Sequence, residues 1–243
     1  MIMCMLEISS QELSALSDAL MTPDFIVVGE MHGSKQNAAL IKSVLDIVLN
    51  TAKQSAVAFE WMLTNKELEQ LRRYICGGEV PAQLPPFFLE SDGRFTYEHA
   101  GLLKQIRAYN RIHNNSIDIY TFDTQAEDPD RAMAESLLSY KKNHTDTVVL
   151  VETGNMHARK SPYVSMGTEH MPMTAILKKN YSIFSMFLHY MRGEIDVGGV
   201  YRNVTEASSQ NEDPKLYFDA VIEVSVSEAS ENPSSLTAIA QLL

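Results

Sequence analysis

The feature that most constrains this chain is a repeated pairing. A short apolar run stops at an acid or a glycine, and a segment of helical periodicity follows. Residues 25–30, Phe-Ile-Val-Val-Gly-Glu, open the series. Runs at 55–60, 117–122, 147–152, 182–188 and 217–224 continue it. Runs this short and this rich in Val, Ile and Phe read as strands. After the first, Ala38, Ile41, Leu45 and Val48 recur on one helical face. Thr64-Asn-Lys-Glu67 is a capping-box pattern that opens a helix to about Ile75, and Gly77-Gly78 closes it. Tyr97 to His113 returns to helical period. Asp128-Pro129 places an N-cap before an N1 proline and starts a helix to about Lys142. Residues 172–179 read as a short helix, and Ser234 as the cap of a terminal one. This alternation predicts an α/β fold: a mainly parallel central sheet with helices on both faces. No linker divides the chain, so a single domain over 1–243 is expected, with its core at about 24–225. Two irregular stretches, 77–96 and 158–171, are expected to border a site. Their Phe87, Phe88, Phe95 and Tyr163 either wall a pocket or pack those segments onto the core.

Charge removes one large class of function. Lys plus Arg is 20 and Asp plus Glu is 31, a net charge of −11. Phosphate backbones need clustered positive charge, so no nucleic-acid partner is expected. No run reaches the roughly 18 apolar residues of a membrane span, and the N-terminus has neither a basic region nor a long apolar one. The expectation is a cytoplasmic protein without membrane insertion. Cys4 and Cys76 lie far apart in unlike contexts, which argues against a disulfide framework.

The polar residues at strand ends carry the chemistry. Glu30 and His32 follow the first strand, Glu60 ends the second, and Asp123 follows the third. Glu152 ends the fourth, and Asn155 and His157 come just after it. Parallel strands bring these ends to one rim, and ligands of open α/β sheets bind outside that rim. Glu30 and His32 are two residues apart, so in extended backbone they point the same way. A carboxylate beside an imidazole raises its basicity and fixes its tautomer. Such a pair either activates water as a general base or supplies ligands to a divalent metal. Glu60 fits as ligand, base or orienting group, and Asn155 and Asp123 are candidates for touching substrate. Arg131 opens its helix at the positive end of the dipole. That placement is poor for a cation unless it faces the acidic rim. The pattern lacks a Gly-x-Ser-x-Gly elbow, a Cys-x-x-Cys and a His-Glu-x-x-His. The expected partner is a small-molecule or peptide substrate.

Gly29-Glu30-Met31-His32-Gly33, Phe59-Glu60, Arg131 with Met133-Ala134, and Gly154-Asn155-Met156-His157 together resemble the signature of one superfamily. It holds the erythromycin-esterase-like proteins, the ChaN-like haem-binding proteins and the TIKI/TraB proteins. The Gly-Asn-x-His-Ala form is most similar to the ChaN-like branch. The resemblance implies an α/β sandwich around a mixed or mainly parallel sheet. From the esterase-like branch it implies His32 as base, Glu30 and Glu60 in support, and His157 and Arg131 binding substrate or stabilising charge. From the TIKI-like branch it implies His32, Glu60 and His157 on a divalent metal in a protease. From the ChaN-like branch it implies haem or iron binding without catalysis, with Tyr97, Tyr163, Met166 and His170 as candidate axial ligands. A soluble hydrolase that cleaves an ester or amide with activated water is the leading expectation.

Overall fold

The first strand, β1 (Phe25–Glu30), is buried along its whole length. A strand reads as an unbroken apolar run when both of its faces are covered. The computed structural model describes residues 16–20, 23–50, 54–90, 92–165, 167–197, 200–204, 213–230, 233 and 235–243. Cys4, Met166 and Ser234 lie outside these residues. After β1 come α1 (Gln36–Leu49), β2 (Ser55–Phe59), α2 (Asn65–Ile75), the short α3 (Phe87–Glu90) and α4 (Tyr97–Ile112). Then follow β3 (Ile117–Thr121), α5 (Pro129–Asn143), β4 (Val148–Gly154) and a small pair, β5 (Tyr163–Ser165) and β6 (Thr168–His170). The series ends with α6 (Met173–Leu177), β7 (Ile183–Tyr190), the pair β8 (Glu194–Val197) and β9 (Val200–Asn203), β10 (Ala220–Val224) and α7 (Leu236–Leu242).

Six strands form one sheet in the order β10-β7-β1-β4-β2-β3. Every neighbouring pair in it is parallel. Successive side chains alternate between its two faces. Ile26, Val28, Val57, Phe59, Leu150, Met186 and Leu188 join the core beneath α1, α2, α4 and α7. Phe25, Val27, Ala56, Ala58, Val149, Val151 and Phe187 join the other core, beneath α5 and α6. The expected α/β architecture, a parallel sheet with helices on both faces, is what the chain adopts.

Chain direction explains where a site forms. β1 and β2 both send the chain to the α1/α2 face, whereas β4 sends it to the α6 face. β4 lies between β1 and β2, so a crevice opens where connections leave in opposite directions. Two of the helix starts read from the sequence, at Thr64 and at Asp128, are present. Thr64 and Glu67 make the reciprocal capping box of α2, and the Asp128 side chain accepts from Arg131 N–H ahead of Pro129 at the start of α5.

Several element readings need correction. The stretch 158–171 contains the antiparallel pair β5–β6, and 77–96 contains α3. The pair β8–β9 was not anticipated. β7 runs on to Tyr190, and β10 starts only at Ala220 after a 3-10 turn at Pro214–Leu216. The short helix between β6 and β7 is limited to Met173–Leu177. Strands of three and four residues carry too little periodicity to show in the sequence, which hides both small pairs.

Candidate functional site

The site is built outward from Glu30, the last residue of β1. Its carboxylate is buried, and one oxygen, Oε1, holds His32 Nδ1. The other, Oε2, accepts from Asn37 Nδ2 at the start of α1. Burial pushes the Glu30 carboxyl up from its ordinary value, and the His32 charge opposes that push. Burial alone would depress the His32 imidazolium, but Glu30, Glu60 and Asp92 reverse this and raise it to about 9. His32 therefore carries a proton at neutral pH.

Glu60 lies just past β2 and is divided in its duties. Its Oε2 accepts from the Thr153 hydroxyl at 2.5 Å and from Gly154 N–H at 2.8 Å. Its Oε1 stands 3.8 Å from His32 Nε2 and 3.7 Å from an Arg94 nitrogen. Burial works against its charge, but the His32 and His157 cations and these two donors outweigh burial and lower its pKa. Glu60 is thus an anion with one oxygen free of short hydrogen bonds.

Gly154 separates the two histidines. A Cβ built on it would lie 3.6 Å from His32 Nε2 and 3.6 Å from His157 Cδ2. His157 is the second member of a matching pair: its Nδ1 lies 2.8 Å from Asp130 Oδ1. The same oxygen accepts from Met173 N–H at 2.6 Å, so Asp130 also fixes the start of α6. Burial lowers the proton affinity of His157, but Asp130 and Glu60 raise it further, for a net upward shift.

A third pair lies deeper. His99 Nε2 is 3.1 Å from Glu152 Oε1, and both residues are buried. Glu152 and Glu30 raise the proton affinity of His99 against its burial. However, Thr96 N–H donates into His99 Nδ1 at 3.1 Å, which needs the lone pair there. That bond favours the neutral ring, with its proton on Nε2 facing Glu152.

Arg94 closes the rim. It bonds Asp123 and, at 2.8 Å, Asp92, and its guanidinium lies over the Phe87 ring at 5.5 Å. Burial raises the Asp123 carboxyl despite the Arg94 charge beside it. Backbone contact delivers Arg94. Gly33 N–H donates to Gly93 O at 3.1 Å, and a Cβ on Gly93 would come within 2.8 Å of Gly33 N. Trp61 Nε1–H then pins Arg94 O at 2.8 Å. Glu30, His32, Glu60, Trp61, Arg94 and Glu152 line a half-open cavity of about 10 Å³, roughly the room one water requires.

The structure thus brings together Glu30, His32, Glu60, Glu152, Asp123 and His157 near one crevice. Asn155 adds a backbone link, its N–H donating to Glu30 O at 3.0 Å. Arg131 is not among them. Its guanidinium turns outward to Asp128 at 3.2 Å and is 69% exposed. The cation at the rim is Arg94, and the residue of α5 that reaches the site is Asp130, next to Arg131. Neither was singled out from the sequence, nor were Asn37 and His99. Asp130 in the first helical turn and Gly93-Arg94 in a long loop were the available signals.

The three-ligand metal reading of His32, Glu60 and His157 does not fit. Among the described residues no group of three or more His, Cys, Asp or Glu is arranged to hold a metal. The Arg94 guanidinium beside Glu60 Oε1 already supplies the charge a cation would bring. The apolar wall is also mostly core. Phe88 and Phe95 are fully buried and stack at 3.7 Å. Tyr163 and His170 stack on one another at 5.1 Å within the β5–β6 pair, and Tyr97 packs against the α1/α4 core.

No family model and no curated protein sequence matches the chain. Solved structures do. A protein from Bacillus cereus superposes with a TM-score of 0.61 and 11% identity, covering 94% of this chain and 94% of its own. The type III effector HopBA1 matches with a TM-score of 0.46 and 14% identity over 73% of this chain and 82% of its own. ChaN of Campylobacter jejuni, solved with cofacially bound haem, matches with a TM-score of 0.39 and 14% identity over 76% and 87%. At these identities the likeness to the Bacillus protein establishes a shared α/β fold, and the chemistry must be argued from the side chains themselves.

Proposed function

We propose that the protein hydrolyses an ester or an amide, with Glu60 and His32 acting together on a water in the cavity between them. The observation that carries this reading is the cavity itself. It has room for about one water and is lined by an anion, whose Oε1 is held only by longer ion pairs to Arg94 and His32, and by an imidazolium. General acid–base catalysis needs a base that is unprotonated and an acid that is protonated at the same pH. Glu60, held low, and His32, held high, meet that condition. The base expected from the sequence was His32; its raised pKa makes it the better acid.

In this mechanism the water oxygen attacks the substrate carbonyl carbon and its proton passes to Glu60 Oε1. The oxyanion that develops is stabilised by His157, whose ring lies across Gly154 from His32. As the tetrahedral intermediate collapses, the departing alcohol or amine takes a proton from His32 Nε2. A proton returning from Glu60 to His32, over the 3.8 Å between them, restores the starting state. The shift that keeps Glu60 ionised also makes it a weaker base, which favours activated esters over amides.

The test is turnover of a panel of aryl esters and amides by the native protein, Glu60→Gln and His32→Ala. Each variant is expected to lose about two to four orders of magnitude in kcat/KM. Chelator treatment is expected to leave the rate unchanged. A haem titration run alongside gives the competing outcome. A saturable Soret band, with no turnover in any sample, would replace hydrolysis with haem binding.

A further inference from the structure

Behind His32 lies a buried chain of hydrogen bonds that the hydrolytic steps do not use. Tyr190, the last residue of β7, donates its hydroxyl to Asn37 Oδ1. Asn37 Nδ2 donates to Glu30 Oε2 and, at 2.9 Å, to Met31 O. Glu30 Oε1 then holds His32 Nδ1. Glu30, Asn37 and Tyr190 are 4%, 2% and 2% exposed, so water cannot substitute for any of these bonds. An amide can turn over and exchange its oxygen for its NH2 group. Here the turn is blocked on the side of the acid. Glu30 and Met31 O offer only acceptors, which only Nδ2 can satisfy, and Oδ1 is left to accept from the Tyr190 hydroxyl. Had the amide turned, its oxygen would face the Glu30 carboxylate.

We propose that Asn37 and Tyr190 are positioning residues, which lock the Glu30 carboxylate in the orientation that keeps Oε1 on His32 Nδ1. The link spans β7, α1 and β1, so the aim of the imidazole is set by three elements rather than by its own turn. Burial and the nearby Glu30 and Glu152 charges keep the Tyr190 hydroxyl protonated, well above its usual range, so it donates throughout the working pH range. The other charged groups facing His32 are Glu60 beyond β2, Asp92 and Arg94 before α4, Glu152 at the end of β4 and His157 beyond it. None of them is altered by changes at positions 37 and 190. The activity arm of the test rests on the hydrolytic reading, and the titration arm does not.

The experiment follows the His32 imidazole by nitrogen-15 NMR through a pH titration of the full chain, in native protein, Tyr190→Phe and Asn37→Leu. Tyr190→Phe keeps the ring in the core and removes the hydroxyl, with its bond to Asn37 and its contacts to the Met31 backbone and the Ser34 side chain. The His32 midpoint is expected to fall by about half a pH unit in Tyr190→Phe and by about one in Asn37→Leu, as Oε1 leaves Nδ1 for part of the time and burial depresses the cation. A midpoint unchanged or raised in Tyr190→Phe overturns the proposal, whether or not Asn37→Leu folds. If the midpoint falls but no ester or amide is turned over, the positioning stands and hydrolysis falls. If esters or amides are turned over and the midpoint does not move, hydrolysis stands and the positioning falls.

Discussion

At the scale of residues, the site is an arrangement of carboxylate–imidazole pairs, and its proton inventory governs both activity and stability. His32 is raised from an ordinary 6.5 to about 9 in the folded protein. A raised folded-state pKa contributes stability that is complete below the unfolded value and is lost as pH climbs through the folded one. The urea midpoint of the native protein is therefore expected to decline between pH 6.5 and 9. His32→Gln is expected to decline less over the same window, and parallel curves would remove this assignment. The same titration sets the rate. If His32 is the acid, kcat/KM falls above about 9. A rate that rises through that pH would return the base role to His32. The members of these pairs were unevenly visible in sequence. Glu30, His32, Glu60 and His157 follow strands directly, so an apolar run points at them. Arg94, Asp130, Asn37 and Tyr190 enter from loops, helix starts and a neighbouring strand. Their approach depends on how those segments return, which local pattern does not encode.

At the scale of elements, the sheet was legible because parallel strands covered on both faces must be apolar throughout. The order of those strands was not. Six runs of similar composition fit many orders, and β4 between β1 and β2 follows only from how the connections cross the sheet. Turns carry different weights in this architecture. Gly33 has φ +83, and a Cβ there would fall 1.8 Å from Asp196 O. Its N–H also anchors the segment that carries Arg94. Gly33→Ala meets both backbone strain and a backbone clash, so a loss of about 3 kcal/mol or more is expected, with Arg94 displaced from Glu60. Thr64→Ala removes only the capping hydroxyl of an exposed helix start, and about 1 kcal/mol is expected there. Denaturant unfolding of the two variants orders them. Equal losses would mean that the Gly33 turn relaxes freely and does not hold the rim.

At the scale of the whole molecule, the chain returns to its first strand. After β10, Ser227 Oγ donates to Ser34 Oγ at 3.0 Å. Lys35 N–H donates to Glu228 O at 3.0 Å, and Ser230 N–H donates to Gly33 O at 2.8 Å. α7 then places Ile239, fully buried, in the core beneath α1, α2 and α4. The turn that aims His32 is thus held from outside by residues nearly two hundred positions later in the chain. Contacts of that separation form late and cost loop-closure entropy, so the turn is ordered only when the fold is complete. Ile239→Ala is expected to cost about 2–5 kcal/mol through the cavity it leaves. Truncation after Ser225 should do something more local. Without Glu228 the Lys35 amide loses its acceptor, so its hydrogen exchange is expected to become fast. The amide of Val27, inside the sheet, stays slow because its strand keeps both neighbours. If Lys35 stays as protected in the truncated chain as in the full one, the first turn is self-supporting. The geometry of the site would then belong to the β1–α1 junction alone.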